Sequence, residues 1–220
     1  MDPVYLDEDL LVLNKPEGLL SVPGRGPDKQ DCLSSRAQVI WPGALVVHRL
    51  DQATSGLLVM ARNSATQVAM GQLFEARQVS KSYVALVWGV PCLTASKWVR
   101  IELPIAADWE RRPRRKIDHV IGKPSTTLWR FAEPNEGGHA GAVNEPSQTG
   151  SRVILEPLTG RTHQLRIHMH SIGHPIIGDQ LYGIQGGNGS VSRLMLHAYQ
   201  LEFSHPTTGV RLQLSAAAEF

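Results

Sequence analysis

The chain has 220 residues, 42% of them hydrophobic and 19% charged, a soluble globular composition that excludes disorder and collagen-like repeats. No apolar run reaches the ~20 residues of a membrane helix, and acids at Asp7, Glu8 and Asp9 oppose a signal peptide. Two cysteines, Cys32 and Cys92, build neither a disulfide framework nor a metal-type spacing, so a reducing cytoplasm is expected. Net charge is only +2, yet residues 97–116 hold seven cations against three acids. Such a concentration suits a polyanion contact, and equally a solvated Arg-rich loop.

In chain order, Val4–Leu6 and Leu10–Asn14 read as short strands around a turn. Asn14–Gly18 and Val22–Pro27 break regular structure. Ala44–Val47 is a short apolar run, and Gly56–Ala61 a buried-type strand. From Asn63 to Gln78 the spacing predicts a helix capped by Asn63 or Ser64, with Ala65, Val68, Ala69, Leu73 and Ala76 on its inner face. Tyr83–Trp88 is β-branched and aromatic, hence strand. Arg100–Ile105, Thr126–Ala132 and Arg152–Leu155 follow as strands, with Pro134–Gly150 a surface loop between the last two. Thr162–Ile172 predicts a helix capped by Thr162 and stopped by Gly173. Leu194–His205 and Val210–Ser215 close the chain as two strands. Strands outnumber helices and often follow one another directly, so the fold class expected is α+β with a mainly antiparallel mixed sheet, in one domain spanning 1–220.

Three polar clusters stand out. His48-Arg49-Leu50-Asp51, followed by Gln52, Thr54 and Ser55, lies between apolar segments. A carboxylate beside an arginine there can act as nucleophile or base, or simply accept backbone hydrogen bonds in a turn. In Gly160–His170, helical spacing puts His163, Arg166 and His170 on one face and Leu165, Met169 and Ile172 on the other. Arg161 and the helix start make an anion-friendly corner. The histidine spacing fits no zinc pattern, so no metal is expected. The third cluster is Lys81-Ser82-Tyr83, where Tyr83 is either a core aromatic or a ring that stacks on a base.

Taken together, these segments resemble the RluA family of RNA pseudouridine synthases. The likeness rests on His48–Asp51 with Thr54-Ser55-Gly56, on Lys81-Ser82-Tyr83-Val84-Ala85 and on Gly160–Arg166, in that order. Lesser matches are Asn14-Lys15-Pro16-x-Gly18-Leu19, His174-Pro175-Ile176-x-Gly178-Asp179 and His205-Pro206. Leu19–Arg25 and Asp108-Trp109-x-x-Arg112-Pro113-x-x-Lys116 resemble a small member without an S4-type RNA-binding domain, and none is expected here. The Pro134–Gly150 loop is longer than in that member and the N-terminal leader shorter.

The resemblance implies a pseudouridine-synthase-like domain with a central RNA-binding cleft. It implies a cytoplasmic, monomeric enzyme that turns specific uridines into pseudouridine in the tRNA anticodon stem-loop and in 23S ribosomal RNA, or in one of these alone. The N1–C1′ bond breaks and a C5–C1′ bond forms, with no redox change, so no cofactor is expected. Asp51 is the carboxylate this chemistry needs, whether it attacks the sugar, adds to the base or removes a sugar proton. Arg166 pairs with and positions Asp51; Tyr83 stacks on the flipped uracil and assists loss of the C5 proton. His48 and Leu165 contact the substrate, Leu165 through its apolar side chain, and Arg49 fills the space the base leaves. Arg161, Arg112 and Arg114 hold phosphates. Two other classes compete: an RNA-binding factor without activity, and a hydrolase using Asp51 with the His-rich helix.

Overall fold

The computed structural model describes residues 1–89, 97–133, 136–138, 150–184 and 191–220. Cys92 and nearly all of the Pro134–Gly150 segment lie outside them. Contacts divide the chain into two units, neither a continuous piece: Met1–Lys81 with His197–Ala217, and Ser82–Leu196 with Ala218–Phe220.

The first unit is organised by two apolar strands. Strand β1 (Pro3–Leu6) turns back through Asp7, whose Oδ1 accepts the amides of Asp9 and Leu10, into β2 (Leu10–Lys15). Strand β4 (Ser55–Ala61) is buried at every position, because both its edges and both its faces are covered. On one edge it pairs antiparallel with β2, from Leu10↔Ala61 to Lys15↔Gly56. On the other it takes the short β3 (Leu45–Val46) at one end and, in parallel, β11 (Leu196–Ser204) at the other. Strand β12 (Arg211–Ser215) completes the order antiparallel to β11. Gly56 has φ +111°, and a Cβ there would lie 2.4 Å from the Ala198 carbonyl oxygen, so the β4–β11 approach requires glycine.

Two helices belong to this unit. Helix α1 (Leu33–Ile40), absent from the sequence expectations, is capped by the Cys32 thiol, which accepts the Ser35 amide. Helix α2 (Ser64–Glu75) begins at the expected cap, Asn63, whose Oδ1 accepts the Thr66 amide at 2.8 Å. Its inner face differs from the expected one. Thr66 and Met70 are buried with Leu73 and Phe74 packed beside them, whereas Val68 is 61% exposed. Alanines offer little area, and the larger side chains at i, i+4, i+7 and i+8 decide which way the helix turns.

In the second unit, β5 (Ser80–Trp88), β10 (Gly150–Pro157), β9 (Thr126–Phe131) and β6 (Val99–Glu102) form an antiparallel run in that order. A separate hairpin pairs β7 (Ile105–Ala107) with β8 (Arg115–Ile117), so part of the expected basic loop is strand. Helix α3 (Gln164–Ser171) packs Ile167 on Ile105, Tyr182, Ile117 and Leu181. The sheet is therefore mixed but mostly antiparallel and the class α+β, as expected. Among the described residues no helix is long and apolar enough to cross a membrane.

Candidate active site

In the first unit, the segment between β3 and β4 carries Asp51 and is held from three directions, through the His48 side chain and the Leu50 and Gln52 backbone. The His48 ring stacks 4.7 Å from Phe74, and its Nε2 accepts the Val59 amide at 2.9 Å. Burial, with Lys81 nearby, pushes His48 down to about 3, so the ring is neutral. The Leu50 amide donates to Ser21 Oγ, which in turn donates to the Leu50 carbonyl at 2.7 Å. The Gln52 carbonyl accepts the Gly18 amide and Lys15 Nζ, both at 3.0 Å. Between these anchors Arg49 is exposed and Asp51 half-buried, and the Thr54 amide closes a turn onto the Asp51 carbonyl.

Lys15, a residue with no expected role, is fully buried at the end of β2. Its ammonium donates to three carbonyls, those of Pro16 (2.9 Å), Leu19 (2.7 Å) and Gln52 (3.0 Å). Burial lowers its pKa to about 8, against an upward pull from the Glu17 and Asp51 carboxylates. One cation thus ties the Asn14–Leu19 turn to the residue beside Asp51. On the other side of Asp51, Ser55 Oγ donates to His197 Nδ1 at 2.9 Å, and His197 Nε2 donates to the Ala216 carbonyl.

In the second unit, Tyr83 lies on β5 opposite Leu155, half-buried, beside Ser82, whose hydroxyl donates to Glu156. Arg166 is 5% exposed on α3 and forks onto Asp179: Nε donates to Oδ2 at 2.8 Å and Nη2 to Oδ1 at 2.7 Å. Burial pushes the Asp179 pKa up, but the Arg166 fork and the Leu181 and Tyr182 amides outweigh it, leaving the carboxyl below its usual range. A Cβ at Gly178 would lie 1.8 Å from the Arg193 carbonyl oxygen, so the turn delivering Asp179 also requires glycine. The Tyr182 ring lies 5.4 Å from the Arg166 guanidinium carbon, and its hydroxyl accepts the Arg115 amide at 2.7 Å and bonds His163 Nδ1 at 2.9 Å. The guanidinium is thereby linked to the base of the basic hairpin.

The start of α3 corrects the expected Thr162 cap. His163 occupies the cap position at φ +58° without a capping side-chain bond, and Gln164 Oε1 instead accepts the Arg161 amide and the Thr159 hydroxyl. The expected two-faced helix is also corrected: every residue from Gln164 to Met169 is buried. His168 bonds Thr127 and the Leu103 carbonyl, and its pKa is lowered by burial. Among the described residues no group of three or more His, Cys, Asp or Glu side chains is placed to hold a metal.

Of the remaining expected site residues, Leu165 is 6% exposed, and Arg161 is exposed with Nε directed to the Pro124 carbonyl. Arg112 is exposed and Arg114 half-buried, both in the turn between β7 and β8. The geometry brings His48, Arg49 and Asp51 together in the first unit. Tyr83, Arg161, Leu165, Arg166, Arg112 and Arg114 belong to the second. Asp179 and Lys15 are the two residues to which the sequence assigned no part in the site. Their only prior signal was membership of short motifs.

Comparison with known proteins gives a consistent result. The family model described as RNA pseudouridylate synthase matches residues 9–171. The dual-specificity RNA pseudouridine synthase RluA of Yersinia pestis is 40% identical over 217 residues, covering 99% of this chain and 98% of its own. The protein of the same name from Escherichia coli K12 is 39% identical, covering 99% and 93%. Among solved structures, human RNA pseudouridylate synthase domain containing 1 superposes with TM-score 0.77 at 33% identity, over 99% of this chain and 83% of its own.

Proposed function

The chain belongs to the RNA pseudouridylate synthase family and is an isomerase that converts uridine in RNA to pseudouridine; from that premise we propose which residues act and on which RNAs. Asp51 is the reacting carboxylate. The single observation that carries this assignment is the loop around it, anchored by the His48 side chain and the Leu50 and Gln52 backbone, with Arg49 exposed beside a half-buried acid. A fixed backbone places a short side chain within a fraction of an ångström, which is what near-attack geometry demands.

Arg166, oriented by Asp179, is the cation assigned to Asp51, and Tyr83 the ring assigned to the extruded uracil. His48 serves from beneath, as the anchor of the loop, and Arg49 fills the stack the base leaves. Leu165 supplies an apolar contact, and Arg161, Arg112 and Arg114 hold phosphates. The overall change breaks N1–C1′, forms C5–C1′, releases the C5 proton and returns one to N1. The substrates are the tRNA anticodon stem-loop and 23S ribosomal RNA, in the cytoplasm. This rests on the dual specificity in the relatives' names and on the motif likeness.

The test is incubation with an anticodon stem-loop, and separately with 23S fragments, carrying tritium at uridine C5. Release of tritium to water with the strand intact is expected. RNA bound with no release from any substrate would leave the non-catalytic binding factor, and strand cleavage the hydrolase.

A further inference from the structure

The turn between β7 and β8 contains a feature that phosphate contact leaves unexplained. Trp109 is 68% exposed, and the Arg112 guanidinium carbon lies 3.9 Å from the centre of its ring. That is the separation of a stacked pair, so one face of the indole is backed by a planar cation. The turn beneath is fixed. The buried Asp108 receives Arg111 Nε at 3.1 Å, its amide donates to the Arg114 carbonyl, and the Arg114 amide donates to the Arg111 carbonyl. The Tyr182 hydroxyl holds the Arg115 amide at the hairpin's base. Residues 111–116 supply five cations, so the ring stands in a positive field.

Solvated positive charge accounts for the arginines but not for a large apolar ring held outward among them. An aromatic plane in a cationic surface is the combination that binds unpaired nucleotides, phosphates on the cations and a base face on the ring. A paired base inside a helix offers no face to stack on. Resting on the reading above, we propose that Trp109, backed by Arg112, is a stacking platform for one unpaired base of the RNA substrate, distinct from the uridine that reacts at Asp51.

The experiment uses the full chain and an anticodon stem-loop or 23S fragment that the wild type converts. Affinity is measured for wild type, Trp109→Leu and Trp109→Phe. Each is tested on the intact RNA and on a set in which each unpaired base in turn is replaced by an abasic site. Trp109→Leu is expected to weaken binding about 5- to 150-fold, the cost of one base–aromatic stack, with unchanged salt dependence. Trp109→Phe should stay within about threefold, since a ring remains. One abasic position other than the reacting uridine should weaken the wild type yet leave Trp109→Leu unaffected. Leu at wild-type affinity, losses additive at every position, or coupling at the reacting uridine alone would each overturn the proposal. Wild-type turnover on the same RNA separates the two readings. Turnover with a neutral Trp109→Leu removes only the platform, whereas absence of any convertible RNA removes the reading beneath it.

Discussion

Around Asp51 the chain is held through its neighbours, the His48 ring by the Val59 amide and the Leu50 and Gln52 backbone by Ser21, Gly18 and the Lys15 ammonium, whereas Arg166 is gripped by its own head group, in the Asp179 fork. Anchoring the residues on either side positions the side chain between them. Gripping the head group fixes direction and charge state together, which suits a residue that orients another. The first arrangement should tolerate graded damage in its anchors; the second should fail when either partner is lost, because a buried charge without its counterion is costly.

The sharpest test of this contrast is at the acid itself. Asp51→Asn should reduce tritium release to background while RNA affinity stays within a few-fold, since it removes chemistry and little contact area. Retained turnover would dissolve the assignment. Next in size, Asp179→Asn should cost about 3–5 kcal/mol of unfolding free energy in urea titrations, by stranding the Arg166 charge. Adding Arg166→Met to Asp179→Asn removes the stranded charge while the Asn oxygen still accepts the Leu181 and Tyr182 amides, so most of that stability should return and none of the turnover. Recovery of activity in the double variant would show that the fork serves folding alone.

A smaller, graded effect is expected at the backbone anchor. Lys15→Met keeps the length of the side chain but takes the ammonium from the Pro16 and Leu19 carbonyls and leaves that of Gln52 with the Gly18 amide alone, so stability should fall by about 2 kcal/mol. The rate constant kcat should fall about ten- to a hundredfold with KM little changed, as Asp51 loses its register. An unaltered kcat would detach Lys15 from the site. The least effect is a pH dependence. His48 sits at about 3 in the folded protein against 6.5 when unperturbed, so the unfolded chain binds the extra proton between those values. The stability present above pH 6.5 is therefore lost as pH falls toward 3, by about 1 kcal/mol between pH 7 and 5.5. His48→Phe should start lower, having lost the Val59 acceptor, and should lack this component of the slope.

Most strands and the start of α2 are legible in the sequence because their signals are local, β-branched runs and an Asn cap at Asn63, and the His48–Asp51 cluster stands out as a polar segment between apolar strands. What it hid depends on contacts distant in the chain or on weak local chemistry. Helix α1 is capped by a thiol, a poor acceptor that no capping pattern marks. Helix α2 turns its larger side chains inward, and counting alanines pointed to another face. The Asp179 partner of Arg166 lies thirteen residues on, in a different turn. The Lys15 cage consists of carbonyls, which every residue has and no composition betrays. Tyr182 carries no sequence signal for the same reason, since its hydroxyl meets a main-chain amide of the hairpin.

The unit that holds Asp51 is assembled from two segments far apart in the chain, residues 1–81 and 197–217. Until β11 has been synthesised, β4 has an uncovered edge, although every one of its residues is destined for the interior. A nascent polypeptide therefore carries an apolar, incompletely paired strand edge while residues 82–196 are being translated. Maturation of this unit must wait until residues 197–217 have emerged, and that interval is when holdase chaperones would matter most to its yield.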